Sequence, residues 1–314
     1  MKRRWSINPV YRKETKLRVR SVKFALTVLF YNLILIAIAL FGFEIMFNVR
    51  WNRQIDYSNA VQIYLVMIVL ETLMVMFLVP AFTAGSIAGE REKQTLEILL
   101  TTTLKPREIV WGKLISSISM VLLLVVSSLP VISIIYTIGG ISISDLLQFV
   151  IAVFVFSIFL GSIGIWGSVM IKKTVPATVF TFGGILILCA GTAVIIGIIY
   201  VISNMYYYNV MQGVGNEPNI SLSLLLLLIN PFFALIDMIG SQYAGSSLIE
   251  GMNSSMGGSV PGIVEEHWFV CSLIVQMVLA VLIMHLSARL LDPLHAKKEK
   301  KRKKSRKKQA VKSA

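Results

Sequence analysis

The chain has 314 residues, of which 56% are apolar and 15% charged, and its mean hydropathy is +0.76. Ordinary soluble domains carry about a quarter charged residues, so this composition indicates a polytopic membrane protein and excludes a large soluble catalytic domain. The 30 Lys and Arg against 16 Asp and Glu give a formal charge of +14. Because charge inside a bilayer is costly, most of it must lie outside the lipid.

Six apolar runs are long enough to cross a membrane, since a hydrocarbon core of about 30 Å requires about 20 apolar residues of helix. The runs are 24–47, 60–83, 114–138, 146–171, 177–203 and 267–291. With six spans and the N-terminus inside, 28 of the 30 Lys and Arg fall in segments that face the cytosol, as the positive-inside rule requires. We therefore expect an all-α polytopic fold with both termini cytosolic.

A further apolar run, 222–239, is interrupted by Asn230-Pro231. Proline removes a backbone donor where a spanning helix would need one. A seventh span would also move the basic C-terminal tail to the outside. We therefore interpret this run as a broken helical hairpin between spans five and six, which either dips into the outer leaflet or lies on it. The surrounding outer segment, 204–266, contains no Lys or Arg.

The two ends of the chain are predicted to be cytosolic and outside the 24–291 permease domain. Residues 1–23 form an amphipathic entry segment, and residues 292–314 form a disordered polybasic tail. The basic run 297–308 has no apolar residue to bury, and it favours binding to anionic lipid. No aromatic residue is interleaved for base stacking, so a nucleic-acid partner is not expected.

The sequence contains no recognisable catalytic motif. Its three histidines lack HExxH spacing, its two cysteines lie far apart, and no GxxxxGK[ST] phosphate-binding loop is present. We expect the chain to bind no metal or cofactor and to hydrolyse no ATP by itself.

The loop between spans two and three carries an apolar stripe at helical spacing, formed by Leu96, Leu99, Leu100 and Leu104. This spacing predicts a short amphipathic helix. Pro106 suits the first turn of a new helix that runs into span three. A helix lying on the bilayer surface explains the stripe as well as a protein contact does.

The same loop resembles a known family. Gly89-Glu90-Arg91-Glu92, then the run 95–102, then Pro106, Glu108-Ile109 and Gly112-Lys113, look like the signature loop of ABC-2-type transporter permeases. The N-terminal run 8–14 is similar to the entry helix of that family, and Asn230-Pro231-Phe232 is similar to its outer segment before the last span. The resemblance covers residues 8–292.

The resemblance implies the membrane half of an ATP-binding-cassette exporter in a bacterial plasma membrane, working as a homodimer or with a paired permease. A separate cytosolic ATPase subunit would bind ATP and magnesium and would dock on the loop after span two, the coupling helix of the family. The residues expected to contact that ATPase are Glu90, Arg91, Glu92, Leu96, Glu97, Leu99, Leu100, Pro106, Arg107 and Glu108. The resemblance also suggests an outer gate at Asn230, Pro231 and Phe232, and an interfacial anchor is the equal alternative.

Glu71 lies near the middle of span two. An ionisable residue there suggests a functional role, so one hypothesis is that Glu71 lines the translocation path, and a packing role is the equal alternative. Two alternative functions also stay open: an ion-coupled secondary transporter that uses Glu71 and Glu44, and a membrane scaffold or assembly factor that transports nothing.

Overall fold

The computed structural model describes residues 9–48, 58–101, 104–139, 142–209, 219–245 and 247–292. In these residues all regular secondary structure is helical, which confirms the all-α prediction. The α-helices are α1 Pro9–Val19, α2 Val22–Asn48, α3 Ser58–Thr83, α4 Ala88–Glu92, α5 Thr95–Thr101, α6 Pro106–Gly139, α7 Ile143–Met170, α8 Thr174–Leu186, α9 Thr192–Asn209, α10 Pro231–Ala244, α11 Leu248–Ser255, α12 Gly262–Glu266 and α13 Trp268–Leu291. A π turn, Ile187–Gly191, joins α8 to α9, and a 3-10 helix, Ser221–Ile229, precedes α10.

Six helical segments are long and apolar enough to cross a membrane, which confirms the predicted number of spans. Spans one to four are α2, α3, α6 and α7, span five is α8 with α9, and span six is α13. The 3-10 helix and α10 meet at an angle of 108°, so together they form a bent pair. The predicted break at Asn230-Pro231 is therefore confirmed.

Local signals in the sequence fix where the inner helices begin. Pro106 is the first residue of α6, and the Glu108 carboxylate accepts a hydrogen bond from the Lys105 amide at 3.1 Å, as in a capping box. The short helix α5 lies where the leucine spacing predicts one. Gln94, with φ of 57°, adopts the left-handed conformation and separates α5 from α4.

Span four, α7, is the centre of the bundle. It packs against α3, α6, α8 and α13, and it buries large side chains such as Phe149, Phe156 and Phe159 completely or almost so. Span five lies at the periphery and exposes many apolar side chains, among them Val179, Ile187 and Ile202. Such a surface suits lipid rather than water.

Glycines allow α7 to approach α3 closely. A Cβ atom on Gly164 would lie 2.8 Å from Cβ of Thr83 and 3.4 Å from the Ala84 nitrogen. Thr83 cannot move aside easily, because it is fully buried and its hydroxyl donates to the carbonyl of Val79 at 2.8 Å. Gly164 is therefore required by packing.

Several predicted features lie outside the described residues. These are most of the polybasic tail, Asn8 of the entry motif, and the loop that contains Arg50 and Arg53.

We expect Gly164→Ala to lower the free energy of unfolding by about 1–3 kcal/mol, because overpacking forces α3 and α7 apart. The measurement is equilibrium unfolding of the purified protein in detergent. Gly183→Ala is the matched control, since nothing lies within 4 Å of its Cβ position. Equal stability of the two variants would contradict the packing role of Gly164.

Candidate functional site: the inner elbow and the outer hairpin

The inner elbow, residues 84–105, joins spans two and three and contains α4 and α5. Its first helix is capped by a residue of another span. Ile87, at the start of α4, has no side-chain cap of its own. The hydroxyl of Ser168, near the end of α7, accepts hydrogen bonds from the amides of Ile87 and Ala88, both at 2.9 Å. Because Ser168 is fully buried, span four fixes the start of α4.

The end of α4 is attached to the turn between spans four and five. The Arg91 guanidinium donates to the carbonyl of Val169 at 3.2 Å. The Glu92 carboxylate accepts from the Thr174 amide at 3.1 Å and from the Thr174 hydroxyl. These bonds attach the end of α4 to the last turn of span four and to the start of span five.

Lys113 in α6 joins the elbow to the entry helix. Its side chain is buried, and its ammonium donates to Glu14 at 2.9 Å, to the Ser86 carbonyl at 2.9 Å and to Glu90 at 2.7 Å. An ammonium has three hydrogens, so all three are used. We call this set of four residues the Lys113 cluster. It holds α1, the elbow and span three in one arrangement.

The leucine stripe faces the protein. Leu96 is 5% exposed, and Leu99, Leu100 and Leu104 pack partly buried against the same apolar cluster, which includes Ile109 of α6. Inner ends of α7 and α13 complete this cluster. The stripe thus anchors the elbow to the spans.

The outward face of α5 carries an apolar residue that the stripe pattern missed. Ile98 is 67% exposed and is flanked by Glu97, with Thr95 and Thr101 also exposed. The sequence feature that could have identified Ile98 is a bulky apolar side chain that lies outside the leucine stripe, in a loop that contains several charged residues.

The residues predicted to contact an ATPase differ in their exposure. Glu92, Glu97, Arg107 and Glu108 are exposed, Leu96 is buried, and the others are intermediate, namely Glu90, Arg91, Leu99, Leu100 and Pro106. Glu90 and Arg91 are also engaged by the chain's own residues. The role of this set stays a prediction, and the exposed members of α5 and α6 are the ones accessible to a partner.

Glu71 lies within the packing of spans one to three. It is fully buried, and one carboxylate oxygen accepts hydrogen bonds from the hydroxyls of Tyr31, at 3.2 Å, and Ser128. These partners come from α2 and α6. Its role in the translocation path stays a prediction, and the contacts show what its packing role would be.

Asn230 joins the outer hairpin to span five. Its side-chain oxygen accepts from the amides of Phe232 and Phe233, at 3.0 and 3.2 Å, and so caps α10. Its amide nitrogen donates to the Cys189 carbonyl at 2.8 Å and to the Thr192 hydroxyl oxygen at 2.9 Å. The π turn disrupts the usual carbonyl pairing at this point, and Asn230 supplies a donor.

Span six binds the other side of the hairpin. The Leu228 carbonyl accepts from Ser272 at 2.8 Å and from Gln276 at 3.3 Å. Gln276 lies eight residues beyond Trp268, the first residue of α13, or about 12 Å along the helix. Leu228, which lies just before the bend of the hairpin, is therefore level with a point about 12 Å along span six. Whether the hairpin enters the outer leaflet or lies on it stays a prediction.

A family model described as an ABC-2 family transporter protein matches residues 8–288. The chain belongs to the ABC-2 transporter family. This assignment confirms the resemblance seen in the inner loop, and the matched range includes the Lys113 cluster and the outer hairpin. A comparison with curated proteins finds no match. As an ABC-2 family member with six spans, the chain is a multi-pass permease, the membrane component of an ABC transporter.

We expect Lys113→Met to lower the free energy of unfolding by about 2 kcal/mol, because it leaves Glu14 and Glu90 without their charged donor. It should also speed proteolysis in α1. Unfolding titration and limited proteolysis of this ABC-2 permease measure these effects. Lys105→Met, at an exposed position of the same loop, should change neither. An unaltered Lys113→Met variant would show that the cluster does not hold the elbow.

Asn230→Ser separates capping from the contact with span five. Serine caps a helix about as well as asparagine, but it is too short to donate to Cys189 as well. We expect a loss of about 1–3 kcal/mol in unfolding free energy, because the Cys189 carbonyl and the Thr192 hydroxyl both lose their contact with Asn230. In the control Ser142→Asn, which exchanges the cap of α7, the change should stay below about 0.5 kcal/mol. If Asn230→Ser is as stable as wild type, capping alone explains Asn230.

Proposed function

We propose that this permease pairs with a separate cytosolic ABC ATPase subunit and exports a substrate as a dimer of permease chains, with the inner elbow receiving the ATPase. The ATPase subunit would bind ATP and magnesium. The observation that carries the proposal is the build of the elbow: it is fixed to several spans on one face and exposes Ile98 and charged side chains on the other.

The contacts of the elbow suit the transmission of force. A surface helix held only by lipid would slide when pushed, whereas α4 is bonded to α7 through Ser168 and to α6 through Glu90 and Lys113. The elbow also continues directly into spans two and three. A displacement of the ATPase would therefore move the inner ends of several spans together.

The exposed face of α5 supplies the elements of a docking site. Ile98 offers an apolar anchor, and Glu97 beside it offers a charge that sets orientation and partner choice. Leu96, which is buried, would support this face from behind. The contact surface thus includes exposed residues of the predicted set together with Ile98.

The dimeric state and outward transport follow the family resemblance. Anionic lipid at the polybasic tail belongs to the same proposal, since the tail adjoins the inner end of α13 in sequence.

The test is co-purification from native membranes, with an ABC ATPase identified by mass spectrometry. We expect Ile98→Asp to weaken the complex about thirtyfold, as loss of an interface hot spot of about 2 kcal/mol would. Its fold should be retained, because the side chain is exposed. Leu96→Asp should instead destabilise the permease itself, because it places a charge in the apolar cluster.

Ile263→Asp is the matched control, since Ile263 is 77% exposed in the outer segment. It should leave the ATPase bound. Co-purification of an ABC ATPase with Ile98→Asp at the wild-type level would exclude α5 as the docking site. A wild-type protein that carries no ATPase and transports on an ion gradient alone would favour the secondary transporter.

A further inference from the structure

A small pocket lies at the outer end of span five, on the side that the charge distribution predicts to be extracellular. Its volume is about 180 Å³, and α9 forms one wall while the start of the 3-10 helix and the end of α11 form the other. The side chains that matter for recognition are Tyr200, Asn204, Tyr207, Tyr208, Ser255 and Met256. This pocket is separate from the inner elbow and from the Asn230 contacts.

The aromatic wall follows from helical spacing. Three residues of the pocket follow Tyr200 at helical spacing: Asn204 four, Tyr207 seven and Tyr208 eight positions later. All four side chains therefore share one face of α9. The rings of Tyr207 and Tyr208 meet edge to face, with centroids 5.2 Å apart and planes at 73°. Tyr206, the residue directly before Tyr207, does not line the pocket. The two rings thus form adjoining walls of a box.

None of the described residues that line the pocket is charged, but the surrounding segment of the sequence is acidic. Residues 204–266 contain no Lys or Arg, and their carboxylates are Glu217, Asp237, Glu250, Glu265 and Glu266. Glu265 accepts from the Asn253 amide at 2.9 Å, which places a carboxylate against α11, the helix that contributes Ser255. Anions are repelled from this segment, and cations are attracted to it.

Tyrosine faces bind organic cations through the ring quadrupole, and aromatic boxes are a common way to hold alkylammonium groups. A volume of about 180 Å³ is below the about 300 Å³ at which pockets begin to enclose drug-sized ligands. It suits a group of the size of a lipid headgroup.

We infer that this pocket binds an alkylammonium group, presented either by a lipid headgroup at the outer surface or by a free organic cation. The three tyrosine rings provide the cation-binding surface, and Asn204 and Ser255 provide polar contacts at the rim. Neither the ATPase partner nor the direction of transport enters this inference.

The test is calorimetric titration of the purified full chain with choline chloride. The comparison ligand is the uncharged isostere in which carbon replaces the nitrogen of choline. We expect choline to bind and the isostere to bind about threefold to thirtyfold more weakly. Equal binding of both ligands, or no binding of choline and no retention of choline lipid, would overturn the inference.

Two kinds of substitution test whether the aromatic ring or the phenolic hydroxyl of the tyrosines binds the cation. Tyr207→Leu and Tyr208→Leu should each weaken choline binding at least about threefold, whereas Tyr207→Phe and Tyr208→Phe should retain it. Tyr206→Leu is the matched control on the same helix and should bind as wild type does, and unchanged unfolding midpoints show that the variants fold. If the Phe variants lose as much as the Leu variants, or if Tyr206→Leu loses as much as Tyr207→Leu, no cation–π site exists here.

A second measurement identifies the source of the group. The protein is equilibrated with vesicles of phosphatidylcholine and phosphatidylglycerol in equal amounts, and the retained lipid is identified by native mass spectrometry. Because the polybasic tail is expected to retain phosphatidylglycerol in wild type and variant alike, the quantity compared is the amount of phosphatidylcholine retained. Less phosphatidylcholine on Tyr207→Leu than on wild type supports a lipid headgroup. Choline binding with equal phosphatidylcholine on the two proteins supports a free cation as the ligand.

Discussion

The arrangement of the inner side depends on the ammonium of Lys113. Burying a charge is costly unless it is paired and hydrogen-bonded. Here the cost is offset by two carboxylates and a backbone carbonyl, which come from the entry helix and the elbow. The same contacts favour one arrangement of these segments, because moving the elbow away would leave the buried ammonium without these partners. This buried ion pair thus acts together with the leucine stripe in defining the geometry of the elbow.

Similar polar contacts join the outer side. Asn230 binds span five, and the Leu228 carbonyl binds span six, so the outer hairpin is held between two spans. Apolar packing in lipid gives little directional preference, since lipid chains are as apolar as leucine. In this ABC-2 permease several directional contacts lie near the ends and breaks of the helices, and the contacts of Glu71 with Tyr31 and Ser128 add one set within the spans. The apolar surfaces of the spans pack against each other or face lipid.

The sequence was sufficient for features that depend on local chemistry. Span length, the start of α6 at Pro106 and the break at Asn230-Pro231 follow from hydropathy and from the missing donor of proline, and the structure has all three.

The environments of the site residues could not be predicted in this way. Ser168 caps a helix about eighty residues before it in the chain, and a leucine stripe does not reveal whether it faces lipid, a partner or its own bundle. Glu90 looked like a surface charge because its partner, Lys113, lies in another helix. Ile98 was missed because it breaks the stripe.

The π turn of span five limits where residues can be inserted into this chain or deleted from it. Each residue of a helix turns the following ones by about 100°, so deleting or inserting one residue within Ile187–Gly191 would rotate all of α9 against α8. The tyrosine-bearing face of α9 would then point away from the 3-10 helix and α11, which form the other wall of the pocket. A surface loop can accept an extra residue without rotating its neighbours. In span five, by contrast, the number of residues between α8 and α9 sets the rotation of one helix relative to the other.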